Sequence, residues 1–414
     1  MTGHPQAGSA YRMSLARIAR NGHTCRAQST VTNCEAQLAA LSASTGESHM
    51  TDAHAKSSTS RTSRRSILKG LGAAAIGISL VGKKSSAWAA EEPKLNFYNW
   101  DTYIGETTLD DFKEASGIDV NMSLFATNDE LFAKLRAGNP GYDVIVPGSE
   151  FVERMIQANL LEPLDHAQIP NIKNIAPEFM TDAPFDPGRK YSMPYTWLVI
   201  GIGYRKSKVK EVPDSWKWLF DSDKYAGKIT VMSDASELFR NCFKYLGHSL
   251  NDASPELLKQ AEEMLTKQKP YIKTFHEDNG QDLLLSGEVD VAMEYNGDIA
   301  QIMTEDDDID FVVPKEGAMR QQDTLAIPKG APHPDNALKF INFILEPKVG
   351  LEIFETIKFP TPNAASTAIM PAEFKDNTVI FPPADVMAKC EYPNYLGPEF
   401  SRLLDEAMTR LRAS

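Results

Sequence analysis

The sequence predicts an α/β protein built as two lobes side by side, and three observations carry that expectation. From Lys94 onward, short apolar runs alternate with amphipathic ones, the pattern of strands and helices. A second such series begins after Tyr195, with no long flexible linker between the two. The chain has 414 residues, 42% of them hydrophobic and 24% charged, which is enough for two substantial cores.

In the first series, residues 95–100 read as a short apolar strand, 109–115 as a helix closed by Gly117, and 119–125 as a second strand. Asn128, Asp129 and Glu130 cap a helix that runs to Arg136 and is stopped by Gly138. Residues 142–147 are a buried strand and 151–161 a further helix. This β-α-β-α-β order favours a parallel sheet covered by helices, with the strand C-ends along one rim. In the second series, 228–233 is a strand followed by a helix from Ser236, and 255–268 is an amphipathic helix. Residues 271–275, 289–294, 310–313 and 324–327 read as strands, and 336–345 and 349–356 as helices. Rims of open α/β sheets and clefts between lobes are frequent ligand sites.

The formal net charge of −13 is unevenly placed. Residues 1–90 hold 11 of the 43 Lys and Arg but only 3 of the 56 Asp and Glu, so the remainder sets 32 basic against 53 acidic residues, a balance of −21. Such a body repels phosphate backbones and draws in cations, so nucleic acid is not an expected partner. No P-loop, G-x-G-x-x-G, G-x-S-x-G or H-E-x-x-H occurs. The reading is therefore no enzyme, no catalytic residue, no cofactor and no metal. Asp306, Asp307 and Asp308 lack the Gly and terminal Glu of a calcium loop and read as a solvated acidic turn. The four cysteines are Cys25, Cys34, Cys242 and Cys390, without CxxC spacing. Cys242 and Cys390 either pair outside the cytosol or are simply buried.

Residues 50–90 read as a twin-arginine export signal. Ser63-Arg64-Arg65-Ser66-Ile67-Leu68-Lys69 is the arginine box, 70–82 an uncharged run, and Ala87-Trp88-Ala89 a cleavage pattern. The run falls short of the about 20 residues a membrane span needs. The mature chain is thus expected to be soluble and periplasmic, not membrane-embedded. Residues 1–49 show no hydrophobic periodicity and are either a disordered extension or sequence upstream of a translation start at Met50.

Five segments, in order along the chain, carry a family likeness. They are Phe97-Tyr98-Asn99-Trp100-Asp101-Thr102-Tyr103, Tyr142-Asp143-Val144-Ile145-Val146-Pro147, and Ser192-Met193-Pro194-Tyr195-Thr196-Trp197. Pro314-Lys315-Glu316-Gly317 with Asp323-Thr324-Leu325-Ala326-Ile327-Pro328 follows, and then Phe359-Pro360-Thr361-Pro362-Asn363. With these motifs the chain resembles the periplasmic spermidine/putrescine-binding proteins of polyamine ABC transporters, from about residue 95 to about residue 393. The resemblance implies a two-lobed periplasmic-binding fold of type II. Each lobe would be a mixed, mostly parallel sheet flanked by helices, closing on ligand at a hinge. Residues 94–197 with 324–360 would form lobe 1, and 198–323 with 361–414 lobe 2.

The resemblance also implies a ligand site. Trp100 and Tyr103, with Asp101 between them, match aromatic positions along the ligand's alkyl chain. Asp234 and Glu237 align with a D-x-x-E whose carboxylates meet one ligand nitrogen. Tyr295 holds an aromatic position usually filled by Trp, and Asp298 matches an Asp of putrescine-preferring members. Asp323 aligns with the carboxylate that meets an amine at the hinge, and Phe359 replaces a Tyr over the ligand. Ser149 and Glu150 follow the third strand, where relatives often carry hydroxyls. Gln321 stands where relatives often have an aromatic, and Pro393 where a Gln is found.

Chemistry gives these residue types a reason. An ammonium donates hydrogen bonds and accepts none, so burial without a carboxylate costs several kcal/mol. The methylenes between ammoniums want flat apolar walls, and aromatic faces also attract cations. Structural roles compete at some positions. Asp234 opens a helix and suits an N-cap, Asp298 is as well placed to cap 299–303, Trp100 and Tyr103 fit a core, and Glu150 suits a solvent face. The expected function is capture of a polyamine by a monomer that hands it to an inner-membrane ABC permease. The alternatives are a polyamine sensor acting on a membrane receptor, or a binding protein for another small cationic solute.

Overall fold

The computed structural model describes residues 91–277 and 279–414. The export signal read in 50–90, the segment 1–49, and Cys25 and Cys34 lie outside the described residues.

Strands β1 (Lys94–Asn99), β2 (Asp119–Leu124) and β3 (Val144–Ile145) pair in parallel in the order β2-β1-β3. Helices α1 (Thr108–Ser116) and α2 (Asn128–Arg136) are the crossovers, and α3 (Ser149–Gln157) follows β3. Leu95 and Phe97 enter one apolar cluster while Tyr98 enters another, and Val144 and Val146 are split from Ile145 in the same way. This period of two places a core on each face of the sheet and explains the nearly continuous apolar runs. The cap of α2 is Thr127, whose Oγ1 accepts from the Glu130 amide, rather than Asn128. Thr127 keeps extended dihedrals, and Asn128 Oδ1 turns instead to the amide of Gly148.

The longest strand was not anticipated. β4 (Ser192–Arg205) runs 14 residues and is buried along nearly its whole length. β5 (Ile229–Met232), β6 (Ile272–His276), β7 (Val291–Tyr295), β8 (Ile309–Val312) and β9 (Arg320–Ala326) follow. The first half of β4 pairs antiparallel with β9, which itself meets β3, and its second half pairs antiparallel with β7 and β8. β5 pairs in parallel with β6 and β7. The parallel sets β2-β1-β3 and β6-β5-β7 are thus joined through antiparallel strands, and β4 belongs to both halves. Asp323 lies inside β9 rather than before a strand, because pairing with β4 already starts at Arg320 opposite Val199.

The second half is packed by α4 (Ala235–Tyr245), α5 (Pro255–Gln268), α6 (Asn296–Ile302) and, at the end of the chain, α9 (Pro398–Ala413). Leu238, Phe239, Phe243, Leu257, Leu265 and Leu411 share its core. α7 (Pro334–Ile344) and α8 (Pro347–Ile357) lie before α9, and Phe340, Ile341 and Ile353 join the core of the first half. α5 has the predicted bounds, with Ser254 capping the Leu257 amide and Pro255 at the first turn. α9 was not anticipated. Cys242 and Cys390 are both buried and neither is in a disulfide. The Asp306–Asp308 turn is ion-paired rather than merely solvated, since Arg205 reaches Asp306 at 2.9 Å and Asp308 at 3.3 Å. Among the described residues no cluster of three metal-ligating side chains occurs, and no helix is long and apolar enough to cross a membrane.

Candidate functional site

Of the candidate residues, Tyr103, Asp323, Gln321, Glu237 and Tyr295 come together where β4 and β9 pass from one half to the other. β9 supplies Gln321 and Asp323, whose separation of two residues puts them on one face of the strand. Thr196 of β4 stands opposite Asp323. The Asp323 carboxylate is only 8% exposed. Its Oδ2 accepts from the Tyr103 hydroxyl at 2.9 Å, and that hydroxyl also lies 2.6 Å from Thr196 Oγ1. Burial pushes Asp323 up to about 6, although both hydroxyls favour its ionised form. Tyr103 is raised well above an ordinary phenol, first by burial and then by the Asp323 charge. The Tyr103 ring is held in turn by Tyr195, whose hydroxyl donates to the Tyr103 carbonyl at 2.7 Å, and by the edge of Phe359 at 5.4 Å between centroids.

Glu237 forms the second centre. It sits in the first turn of α4, just past the C-end of β5. Its Oε1 accepts from the Tyr295 hydroxyl at 2.6 Å and from Gln321 Nε2 at 2.9 Å. Enclosure and the Glu237 charge raise the Tyr295 phenol well above its ordinary value. Asp234 caps α4 by accepting from the Glu237 amide at 2.9 Å. It still meets solvent, but neighbouring protein strips enough water to raise its carboxyl, a shift that the amide bond opposes. Gln321 links the centres, since Asp323 is two residues away on the same strand. A Cβ on Gly148 would lie 3.5 Å from Asp323 Oδ1 and 3.6 Å from Gln321 Oε1. The arrangement thus sets the Asp323 carboxylate against the Tyr103 hydroxyl and the Glu237 carboxylate against Tyr295 and Gln321, with tyrosine and phenylalanine rings beside them.

Residues 107–382 match the family described as bacterial extracellular solute-binding protein. The chain belongs to that family. This solute-binding protein is 34% identical over 363 residues to the putrescine-binding periplasmic protein SpuD of Pseudomonas aeruginosa, covering 83% of this chain and 98% of the relative. It is 33% identical over 344 residues to the putrescine-binding periplasmic protein PotF of Escherichia coli, covering 78% and 93%. Among solved structures, a putative spermidine/putrescine ABC transporter protein from Listeria monocytogenes superposes with a TM-score of 0.73 at 32% identity, covering 78% of this chain and 99% of that one. The two-lobed α/β fold is therefore that of the solute-binding protein family.

The remaining residues singled out in this solute-binding protein fall into separate settings. Trp100 is half-buried beyond the C-end of β1, its Nε1 donating to the Val146 carbonyl at 3.0 Å and its ring 4.3 Å from Phe125. Asp101 is exposed and accepts from the Thr102 amide in its own turn. Ser149 is fully buried at the start of α3. Glu150 does not face open water, because it accepts from Arg240 Nη1 at 3.1 Å and Ser236 Oγ at 3.3 Å, beside Asp234 whose charge also acts on it. Burial raises its carboxyl while Arg240 opposes the shift. Asp298 lies in the first turn of α6, half-buried, and the backbone cap there is Tyr295 with no side-chain cap bond. Phe359 covers Gly297 of that turn. Thr196, Asn128 and Gly148 were not anticipated. Thr196 had a signal in its motif, but nothing in one sequence shows that it faces Asp323.

Proposed function

We propose that this protein captures a polyamine of the putrescine/spermidine type between its two lobes in the periplasm and delivers it to an inner-membrane ABC permease. Asp323 carries the reading. A buried carboxylate stabilised, among the described residues, by the hydroxyls of Tyr103 and Thr196 keeps its charge, and that charge is best satisfied by a cation brought from outside. Glu237, held by Tyr295 and Gln321, is the second anchor. Tyr103, Tyr295, Phe359 and Trp100 supply apolar faces for the methylenes between two ammoniums. Closure is a hinge motion about β4 and β9, with residues 94–197 and 324–360 moving against 198–323 and 361–414. The protein works as a monomer, performs no catalysis and needs no cofactor. Its relatives named for putrescine and spermidine, and the acidic balance of the chain, support this reading. The test is a thermal-shift screen of diamines, triamines, amino acids and metal ions, followed by calorimetry. Stabilisation by diamines or triamines is the expected result; stabilisation only by an amino acid or a metal would replace the reading.

A further inference from the structure

Helix α3 does more than follow β3. Its Val152 and Met155 pack with Tyr98 and Ile145 in the core of the first half, whereas Leu238, Phe239 and Phe243 of α4 belong to the core of the second. Glu150 on α3 and Arg240 on α4 meet at 3.1 Å, so this ion pair ties a helix of one core to a helix of the other. Glu153, one turn further along α3, accepts from the Tyr395 amide at 2.8 Å, and the Arg154 guanidinium lies 5.7 Å from the Tyr395 ring. The contact between α3 and the second half therefore has two hydrogen-bonded points on one helix face.

Arg240 is prepared for this contact. Its side chain is 1% exposed. Its Nε donates to the Leu250 carbonyl, and its Nη2 to Asn251 Oδ1 and the Asn394 carbonyl. The cost of removing the guanidinium from water is thus largely incurred within its own half, and only Nη1 is directed at Glu150 and Ser236. When the halves meet, Glu150 sheds water and gains a charge-assisted hydrogen bond to a fixed partner.

We propose that Glu150 and Arg240 form a latch: Glu150 is a positioning residue whose ion pair holds the two halves together without touching the ligand. The latch governs how long a bound solute stays, since a buried pair made on closure acts on dissociation more than on encounter. It rests on the polyamine reading only where a polyamine is the probe.

The test is Glu150→Gln in the full chain, which keeps the size and an acceptor oxygen but removes the charge, with Ser236→Ala as a variant that spares the ion pair. Stopped-flow with putrescine gives the rates, and hydrogen exchange without ligand follows the Tyr395 amide. For Glu150→Gln the expected result is dissociation faster by about tenfold with association within about twofold, and faster exchange at Tyr395. Ser236→Ala moves both by less than about twofold. Unchanged exchange at Tyr395 overturns the latch, as does unchanged dissociation from a wild type that binds. If the wild type binds no diamine or triamine, the polyamine reading fails and the exchange measurement alone decides the latch.

Discussion

Tyr103 and Asp323 are 220 residues apart in sequence and joined by a 2.9 Å hydrogen bond in the fold. The phenol fixes the carboxylate without neutralising it, which is what a site for an incoming cation requires. Asp323→Asn keeps the shape and removes the charge. It is expected to weaken putrescine or spermidine binding by about 2–4 kcal/mol, the range for a charged hydrogen bond lost from a buried pair. Calorimetry checks this, and an affinity equal to wild type would remove Asp323 from the site.

The raised Asp323 carboxyl gives a pH dependence whose sign differs with and without ligand. Its ordinary value is near 3.9 and the folded protein holds it at about 6. Between these values the folded chain binds the proton more readily than the unfolded one, so this group lowers ligand-free stability as pH rises through the window. The cost is absent below about 4 and complete above about 6, on the order of 3 kcal/mol. Ligand binding runs the other way, because an ammonium needs the ionised form. Affinity should hold steady above about 6 and fall by up to tenfold per unit below it. Glu150 and Asp234 are also raised, so the Asp323→Asn variant, with a flatter profile than wild type, isolates the contribution. Titrations across this range with equal slopes for both proteins would contradict the assignment.

Much of the first half was readable because its strands and helices are short and separated by turn residues. β4 was not. It is buried on both faces, so it shows no alternation, and Pro194, Gly201 and Gly203 argue against a strand. The structure explains the glycines, since a Cβ on Gly201 would lie 2.4 Å from Phe311 and one on Gly203 2.5 Å from Ile299. Without β4, the facing of Thr196 and Asp323 is invisible. The carboxylates Asp323 and Glu237, and Tyr103, Tyr295 and Gln321 that donate to them, could be proposed from chemistry and the family motifs, whereas Thr196 could not. Asn128 looked like a cap, and Arg240, 90 residues from Glu150, had no signal that would pair them.

Glu237 depends on Tyr295 for its orientation. Tyr295→Phe deletes the 2.6 Å hydroxyl bond and leaves the ring and the Gln321 contact in place. Loss of one such bond to a charged acceptor is expected to cost about 1–2 kcal/mol of polyamine affinity, or roughly five- to thirtyfold. The fold should persist, because the ring still packs against both cores. Fluorescence titration of the variant checks this; binding as tight as wild type would mean that Glu237 needs no help from the phenol.

Gly297 sets how closely α6 approaches Phe359. A Cβ there would come within 2.5 Å of the Phe359 ring, and a flat aromatic ring cannot fold out of the way as a flexible chain would. Phe359 in turn rests edge-on against Tyr103, so a displaced ring disturbs the group that holds Asp323. Gly297→Ala is therefore expected to destabilise the ligand-free protein by about 1–3 kcal/mol and to weaken polyamine binding as well. Thermal unfolding and calorimetry read the two effects separately. A lower melting point with unchanged affinity would detach Phe359 from the binding slot, and no change in either would show that the start of α6 gives way more easily than the ring.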